Sequence, residues 1–296
     1  PTAEATERMI TLTTCHPLWS TRERWVIHGV LSHWVARDEG RPAEIIAMEE
    51  GWLAVLTREG VAVTTVSGEA VQPRVMHVNW ELRQAERGGY AHFMLKEIHE
   101  QPRALRDTLS GRLDPAAGRV RLPEVGLSAA EVQALSKVAV VACGTAAHAG
   151  LVGKYLIERL ARIPVEWDLA SEYRYREPMV DERTLFVAVS QSGETADTLA
   201  AMREARSRGA KVLAVTNVVG STAAREADWV LHTWAGPEIA VASTKAYTTQ
   251  VEALTLLAIW LGQQNGRIDL AEAAALVEGL RRLPDQAEQV LALEPA

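Results

Sequence analysis

The sequence has only two cysteines, Cys15 and Cys143, among its 296 residues. Two thiols cannot supply a disulfide framework, and their spacing is not that of metal ligands. No uninterrupted apolar run reaches the length of a membrane-spanning helix, and the N-terminal stretch PTAEATERMI does not have the pattern of a signal peptide. We therefore expect a cytoplasmic protein that needs no metal and no other cofactor.

The sequence also has fewer basic than acidic residues. The chain has 31 lysine and arginine residues against 38 aspartate and glutamate residues, so its formal net charge at pH 7 is -7. This balance gives no general attraction for nucleic acid or for an anionic membrane, and the tryptophans do not form a stacking platform with basic residues between them. We expect neither partner, and an anionic ligand must be held by local hydrogen-bond donors.

The length allows about two domains, and the chain changes character twice. Residues 1–37 contain two strand-like runs, and a charged stretch with glycine and proline follows at 36–44. Residues 44–85 begin with short apolar runs that end in Glu-Gly or Ser-Gly pairs, which is typical of antiparallel strands joined by tight turns. A helical pattern follows, and the pair Gly88-Gly89 is expected to break it.

From residue 137 onward, apolar runs of strand length alternate with helical patterns. The predicted strands are 137–142, 165–169, 184–190, 211–217 and 228–233. The predicted helices are 145–161, 195–208, 243–262 and 270–291. Strands that are apolar throughout and alternate with helices indicate a parallel sheet covered on both faces. The fold class is therefore α/β, a three-layer αβα sandwich preceded by short antiparallel β segments.

The stretch SQSGET, residues 190–195, follows one of these buried strands. Ligands of such sheets bind beyond the carboxyl ends of the strands, where helix N-termini offer unpaired N–H groups and a partial positive charge. Hydroxyl groups add further donors, and Gly193 lets the backbone come close to a ligand. The pattern predicts a site for a phosphate monoester. The alternative is an ordinary helix cap, with Ser192 as N-cap and Glu194 in the first turn.

Two further strand ends carry similar residues. The stretch CGTAAH brings Thr145 to the start of the first helix, and GPEIAVASTKAYT brings the backbone of Val241 and the hydroxyl of Ser243 to the start of another. Three strand ends with hydroxyls and amides can surround a phosphorylated polyol.

Five stretches together carry a resemblance to a known family: HFMLKEIHEQP, ACGTAAHAG, ASEYRYRE, VSQSGETADTL and GPEIAVASTKAYTTQ. In this order they closely resemble the glutamine–fructose-6-phosphate aminotransferases (isomerising), also called glucosamine-6-phosphate synthases. The resemblance covers about residues 44–296. It implies that residues 44–85 are the end of a glutaminase domain. It also implies that residues 90–290 are a sugar-isomerase (SIS) domain, with the phosphosugar isomerase-like sandwich, and its lead-in helices.

The resemblance also implies a substrate, a reaction and a set of contacts. Ammonia from glutamine replaces the ketone oxygen of fructose 6-phosphate, and the product is glucosamine 6-phosphate, in the hexosamine (UDP-N-acetylglucosamine) pathway. The sugar-phosphate contacts carried over by motif are Thr145, Ser190, Gln191, Ser192, Thr195, Val241 and Ser243. Ala146 stands where the family usually has a serine, which removes one hydrogen bond of about 0.5–1.5 kcal/mol.

The motifs in this chain do not include the groups that the family uses for catalysis. These are the N-terminal cysteine of the glutaminase and the lysine, glutamate and histidine of a second SIS domain. We therefore identify no catalytic residue and expect the chain to be incomplete for catalysis alone. The resemblance also implies a homodimer. An alternative from another class is a phosphosugar-binding module without catalysis, structural or regulatory.

Residues 1–37 resemble a different family. TLTTC, which ends at Cys15, and the later Arg24 resemble the C-terminal end of a sortase, a cysteine transpeptidase in which the cysteine is the nucleophile and the arginine stabilises the oxyanion. The neighbouring His16 is expected on the opposite strand face from Cys15, so the thiol would have no base to activate it.

Three other residues near the predicted site have structural interpretations. Cys143 is expected to be a packed small hydrophobe, His148 to be a half-buried histidine, and Lys245 to be a surface charge on its helix.

Overall fold

The structure is a computed structural model that describes residues 9–13, 26–30, 43–46, 51–56, 60–73, 75–78 and 87–293. The chain divides into two compact units, residues 1–82 and 83–296. Cys15 and Arg24 lie outside the described residues, so the sortase-like assignment stays a prediction.

The first unit contains only short antiparallel pairings among its described residues. Its strands are β1 (Met9–Thr13), β2 (Val26–Val30), β3 (Ala43–Ile46), β4 (Trp52–Leu56), β5 (Val61–Thr65), β6 (Ala70–Val71) and β7 (Val75–Val78). β4 and β5 pair as the predicted meander requires, and β6 is the third strand of their sheet. β3, the expected first strand of that meander, pairs with β7 instead, and β1 pairs with β2. Gly68 turns the chain between β5 and β6 with a φ of +90°, which favours glycine.

The second unit is built on a five-stranded parallel sheet. Its strands are β10 (Lys137–Ala142), β11 (Val165–Leu169), β12 (Thr184–Ser190), β13 (Lys211–Thr216) and β14 (Trp229–His232). The order across the sheet is β11-β10-β12-β13-β14. The chain therefore winds in opposite directions from β10, and the crevice between the ends of β10 and β12 is the topological switch point where such sheets bind ligands.

Helices cover both faces of this sheet. They are α1 (Phe93–His99), α2 (Gln101–Leu109), α3 (Ala129–Ala134), α4 (Gly144–Leu160), α5 (Ala170–Tyr173), α6 (Ala196–Ser207), α7 (Thr222–Glu226), α8 (Lys245–Gln264) and α9 (Leu270–Leu291). A small hairpin of β8 (Leu113–Asp114) and β9 (Arg119–Val120) follows α2. The sequence patterns predicted the larger elements to within two residues, and they did not predict the hairpin, α3, α5 or α7.

Alternate residues of each central strand serve two separate cores. Val187 and Val189 of β12 pack in the core that contains α4 and α8, and Phe186 and Ala188 pack with residues of α5 and α6 on the other face. Because both faces are covered, the strands are apolar throughout, and the predicted three-layer arrangement is confirmed. In the parts of the chain that the structure describes, no helix is long and apolar enough to cross a membrane.

Candidate anion-binding site

The candidate site lies at the carboxyl edge of the parallel sheet. Ala142 is paired with Val189, and the next residue of β12, Ser190, is paired with Thr216 of β13. The ends of β10, β12 and β13 therefore lie level with one another. The loop 190–195, which we call the hydroxyl loop, leaves β12 at the switch point and leads into α6.

Internal hydrogen bonds fix the shape of the hydroxyl loop. The buried Ser190 Oγ accepts from the N–H of Gly193 at 3.1 Å and lies 3.0 Å from Thr195 Oγ1. Ser192 Oγ accepts from the N–H of Glu194 at 3.1 Å. Ser192 and Thr195 are both half-buried, so the three hydroxyls are gathered at the start of α6.

Gly193 is the residue that allows this loop to close. Its φ is +66°, and a β carbon built on it would lie 2.2 Å from Ser221 Oγ and 2.9 Å from Thr216 Oγ1. The carbonyl of Gly193 also accepts the N–H of Ala223 at 3.0 Å. Both the backbone conformation and the space available therefore require glycine.

The start of α6 differs from the ordinary helix cap considered from the sequence. The N-cap residue is Thr195, and its side chain makes no capping hydrogen bond. Glu194 points instead to the next helix, where it accepts the N–H of Thr222 at 2.7 Å. The first N–H groups of α6 are thus not capped by Thr195, although helix termini need external partners. Such a helix start is suited to an anion.

The end of β10 adds an exposed hydroxyl beside this loop. Thr145 is the second residue of α4 and is exposed. Ala146 is buried in the core. Cys143 packs against the core beneath α6, as expected, but His148 is exposed and the prediction of a half-buried histidine is wrong.

The third strand end is arranged differently from the first two. Val241 is fully exposed. Ser243 Oγ donates to Glu238 at 3.0 Å, and the other carboxylate oxygen of Glu238 accepts from the N–H groups of Thr244 (2.9 Å) and Ala246 (3.1 Å). The start of α8 is therefore already filled by a carboxylate. The single hydroxyl proton of Ser243 is engaged by Glu238, so a phosphate contact from Ser243 requires this bond to exchange.

Lys245 is not the surface charge that the sequence suggested. Its side chain is buried, and its Nζ atom lies 2.6 Å from Glu100 Oε2. The prediction is wrong because the segment joining α1 to α2 covers the first turn of α8, which no local pattern around Lys245 reveals.

The structure thus brings part of the predicted set together. Thr145 and the hydroxyl loop, which includes Gln191, follow adjacent strands. Val241 and Ser243 follow β14, which lies two strands from β12, and they belong to the long loop between β14 and α8. Among the described residues, no cluster of three or more histidine, cysteine, aspartate or glutamate side chains is placed to hold a metal ion.

Comparisons of the sequence and of the fold with known proteins identify the same group of relatives. The family profile described as "SIS domain" matches residues 133–260. The chain is 83% identical over 253 residues to a glutamine–fructose-6-phosphate aminotransferase (isomerizing) of Symbiobacterium thermophilum, and the match covers 86% of this chain and 42% of the relative. It is 53% identical over 251 residues to a protein of the same name from Thermus thermophilus, with 85% and 41% covered.

A solved structure shows the same relationship. The C-terminal domain of glucosamine-fructose-6-phosphate aminotransferase from Francisella tularensis superposes with a TM-score of 0.63 at 37% identity, over 68% of this chain and 55% of that chain. The chain spans about two fifths of the length of the curated relatives that it matches.

Proposed function

The chain carries an SIS domain and is homologous to part of the glutamine–fructose-6-phosphate aminotransferases, and on this premise we propose that it binds a hexose 6-phosphate through the hydroxyl loop. The observation that carries this proposal is the combination of gathered hydroxyls, a required glycine and a helix start that Thr195 does not cap. All three lie at the switch point of the sheet.

The chemistry of the loop suits a phosphate monoester. The first N–H groups of α6, the Ser192 hydroxyl and one hydroxyl of the hydrogen-bonded pair Ser190 and Thr195 can donate to a phosphate oxygen, and they contribute no charge of their own. Hydrogen bonds to a charged group contribute about 1.5–3 kcal/mol each, and the helix start adds a favourable field. Thr145 supplies a further donor from the neighbouring strand end. Such a pocket offsets the net charge of -7 without a lysine in the loop.

The reaction proposed for the complete protein is that of its relatives. Ammonia derived from glutamine would replace the ketone oxygen of fructose 6-phosphate, and isomerisation of the imine would give glucosamine 6-phosphate. In this proposal the present residues hold the phosphate end of the sugar. Proton transfer and imine formation need a base and an amine, and we assign neither role to a residue of this chain. Residues 44–85 are proposed to be the end of the glutaminase domain.

Calorimetry tests the binding proposal directly. Fructose 6-phosphate titrated into the chain should release or absorb heat with a millimolar or tighter Kd, and replacing both Ser192 and Thr195 by alanine should weaken binding by at least tenfold, since two donors are lost. Ser207→Ala is the matched control, because Ser207 is an exposed serine at the far end of α6. No heat with the unaltered chain would refute the proposal.

The non-catalytic alternative is separated by turnover. The donors of the hydroxyl loop bind without transferring a proton from carbon, so binding alone does not show catalysis. Fructose 6-phosphate and ammonia are added to the chain, and glucosamine 6-phosphate is assayed. Formation of product would exclude the non-catalytic module, whereas binding without product is the result expected both of that module and of a part of the enzyme that lacks its catalytic groups.

We also propose that two copies of the chain associate. Large apolar side chains on the second unit are exposed, with Met179 at 82%, Tyr155 at 62% and Tyr175 at 61%. The expectation of a dimer comes from the resemblance to the aminotransferase family, and these side chains are candidates for the interface. Sedimentation velocity should show a mass near twice 32.4 kDa, and a monomer at all concentrations would contradict this part of the proposal.

A further inference from the structure

The loop between β14 and α8 is held by two carboxylates, one on each side of the fully exposed Val241. Glu238 lies within the loop and caps α8. On the other side, Oε1 of Glu97 accepts the N–H of Ile239 at 2.6 Å and that of Ala240 at 3.2 Å. Glu97 is 142 residues away from Ile239 in sequence, on α1. Hydrogen bonds to Glu97 before Val241 and to Glu238 after it thus hold the backbone of the loop, while the side chain of Val241 is exposed.

Burial makes the contact with Glu97 significant. This residue is only 2% exposed, and its second oxygen, Oε2, has no hydrogen-bond partner among the described residues. Burying a carboxylate costs several kcal/mol unless hydrogen bonds compensate. The compensation that the structure gives comes from the two N–H groups of the loop. A leucine at this position would be buried without the desolvation cost of a carboxylate. The presence of an acid is therefore explained by its hydrogen bonds to the N–H groups of Ile239 and Ala240.

Neighbouring side chains of the same helical segment act on the same region. Glu100 accepts from Lys245 Nζ at 2.6 Å, and Gln101 Oε1 accepts from Thr248 Oγ1 at 2.6 Å. Glu97, Glu100 and Gln101 are spaced i, i+3 and i+4, which places them on one face of a helical segment, and Glu100 itself has helical φ and ψ angles. This face is therefore directed at the loop and the first turns of α8.

We propose that Glu97 is a positioning residue that presets the loop carrying Val241 for sugar-phosphate binding. The proposal rests on the proposed function, because it takes the loop as the third side of the pocket, as the sequence motifs predict. Glu97 does not touch the sugar. It fixes the backbone amides before the ligand arrives, so that the ligand does not have to order the loop, and preorganisation of this kind increases affinity.

Three substitutions in the full chain separate positioning from packing. Glu97→Gln keeps an acceptor for both N–H groups, and Glu97→Leu fills the same space without an acceptor. Glu97→Ala removes both the acceptor and the packed side chain. The affinity for fructose 6-phosphate is measured by calorimetry, thermal unfolding is recorded for each variant, and hydrogen exchange reports on the amides of Ile239 and Ala240.

The leucine and alanine variants should bind about tenfold more weakly and lose protection at both amides, while the glutamine variant should stay within about threefold of the unaltered chain. Unchanged affinity in the leucine variant, or a glutamine variant as weak as the leucine variant, overturns the proposal. If the unaltered chain itself does not bind, the proposed function has failed. If the unaltered chain binds and the leucine variant binds equally well, only the role of Glu97 has failed.

Discussion

Gly193 and Ser221 approach each other so closely that a β carbon on Gly193 would lie 2.2 Å from Ser221 Oγ. The contact joins the hydroxyl loop to the N-cap of α7, because Ser221 Oγ accepts the N–H of Ala224 there. The loop after β12 is therefore fixed by the helix that follows β13. Any side chain at position 193 has to displace this cap.

The first prediction concerns Gly193→Ala. The substitution should lower the free energy of unfolding by about 3 kcal/mol or more, because it combines strain at a positive φ with a clash against Ser221 and Thr216. It should also abolish measurable binding of fructose 6-phosphate. Chemical denaturation and calorimetry measure the two effects.

Gly266→Ala is the matched control for this prediction. Gly266 has a φ of +63°, and a β carbon there would meet nothing within 4 Å. This variant should lose only about 1–2 kcal/mol, the cost of the left-handed conformation, and should bind normally. Equal losses in the two variants would show that the contact with Ser221 is unimportant.

The second prediction concerns a buried acid that lies outside the proposed site. Glu252 on α8 is 2% exposed, and neither of its oxygens has a hydrogen-bond partner among the described residues. Burial raises the pKa of its carboxyl group to about 9, although the nearby Arg112 and the Thr108 hydroxyl act to lower it. The folded protein therefore keeps a proton that the unfolded chain releases near pH 4.5.

Since the folded state binds the extra proton between about pH 5 and 9, the free energy of unfolding should fall as the pH rises through this range. The slope from this group is at most about 1.4 kcal/mol per pH unit. Glu252→Gln stays neutral and should remove it, so the variant should gain stability over the unaltered chain as the pH rises. Urea denaturation across this pH range measures the difference, and a difference independent of pH would contradict the prediction.

Taking the difference between these two proteins removes contributions from other titrating groups. His232 is one of them, since burial and Arg112 lower its pKa. Glu278→Gln is a control because folding shifts the pKa of Glu278 in the opposite direction from that of Glu252. Hydrogen bonds from Arg281 lower the pKa of this exposed acid, so its substitution should not reproduce the rising gain in stability.

The third prediction concerns the buried ion pair of Lys245 and Glu100, with side chains 3% and 26% exposed. Lys245→Met should lower the free energy of unfolding by up to about 3–5 kcal/mol, because the partly buried carboxylate of Glu100 loses its closer partner. The remaining contact of Glu100 with Lys96 should reduce this loss. Lys96 Nζ remains 3.3 Å from Glu100. Thermal and chemical denaturation measure this loss.

Two further variants test the interpretation of that loss. The double variant Lys245→Met with Glu100→Gln should recover part of the stability, because the uncompensated charge is gone. Arg281→Met, in an exposed pair with Glu278, should have a much smaller effect than Lys245→Met. A single variant as stable as the unaltered chain would show that the Lys245 pair contributes nothing.

The sequence was sufficient for the elements whose signal is local. The uninterrupted apolar runs that became β10, β12 and β13, and the helical periodicity of α4 and α8, identified the sheet and its two covered faces. The hydroxyl loop was found for the same reason, since its residues are consecutive. Short pieces such as the β8–β9 hairpin were missed because two residues per strand give no periodicity.

Contacts between distant parts of the chain could not be found in this way. Glu100 and Lys245 are 145 residues apart, and nothing near Lys245 indicates that a helix covers it. The role of Glu97 is equally non-local. The i, i+3, i+4 spacing of Glu97, Glu100 and Gln101 was the one local signal, because it places three polar side chains on a single helix face. Their partners became apparent only in the fold.

The central claim is that a phosphate ester occupies the start of α6. Amide chemical-shift mapping with fructose 6-phosphate tests it most directly. We predict saturable shifts of the N–H groups of Gly193, Glu194, Thr195 and Ala196, with smaller shifts of the same amides produced by inorganic phosphate. Shifts confined to other parts of the chain, with these four amides unmoved at saturating sugar phosphate, would contradict the account.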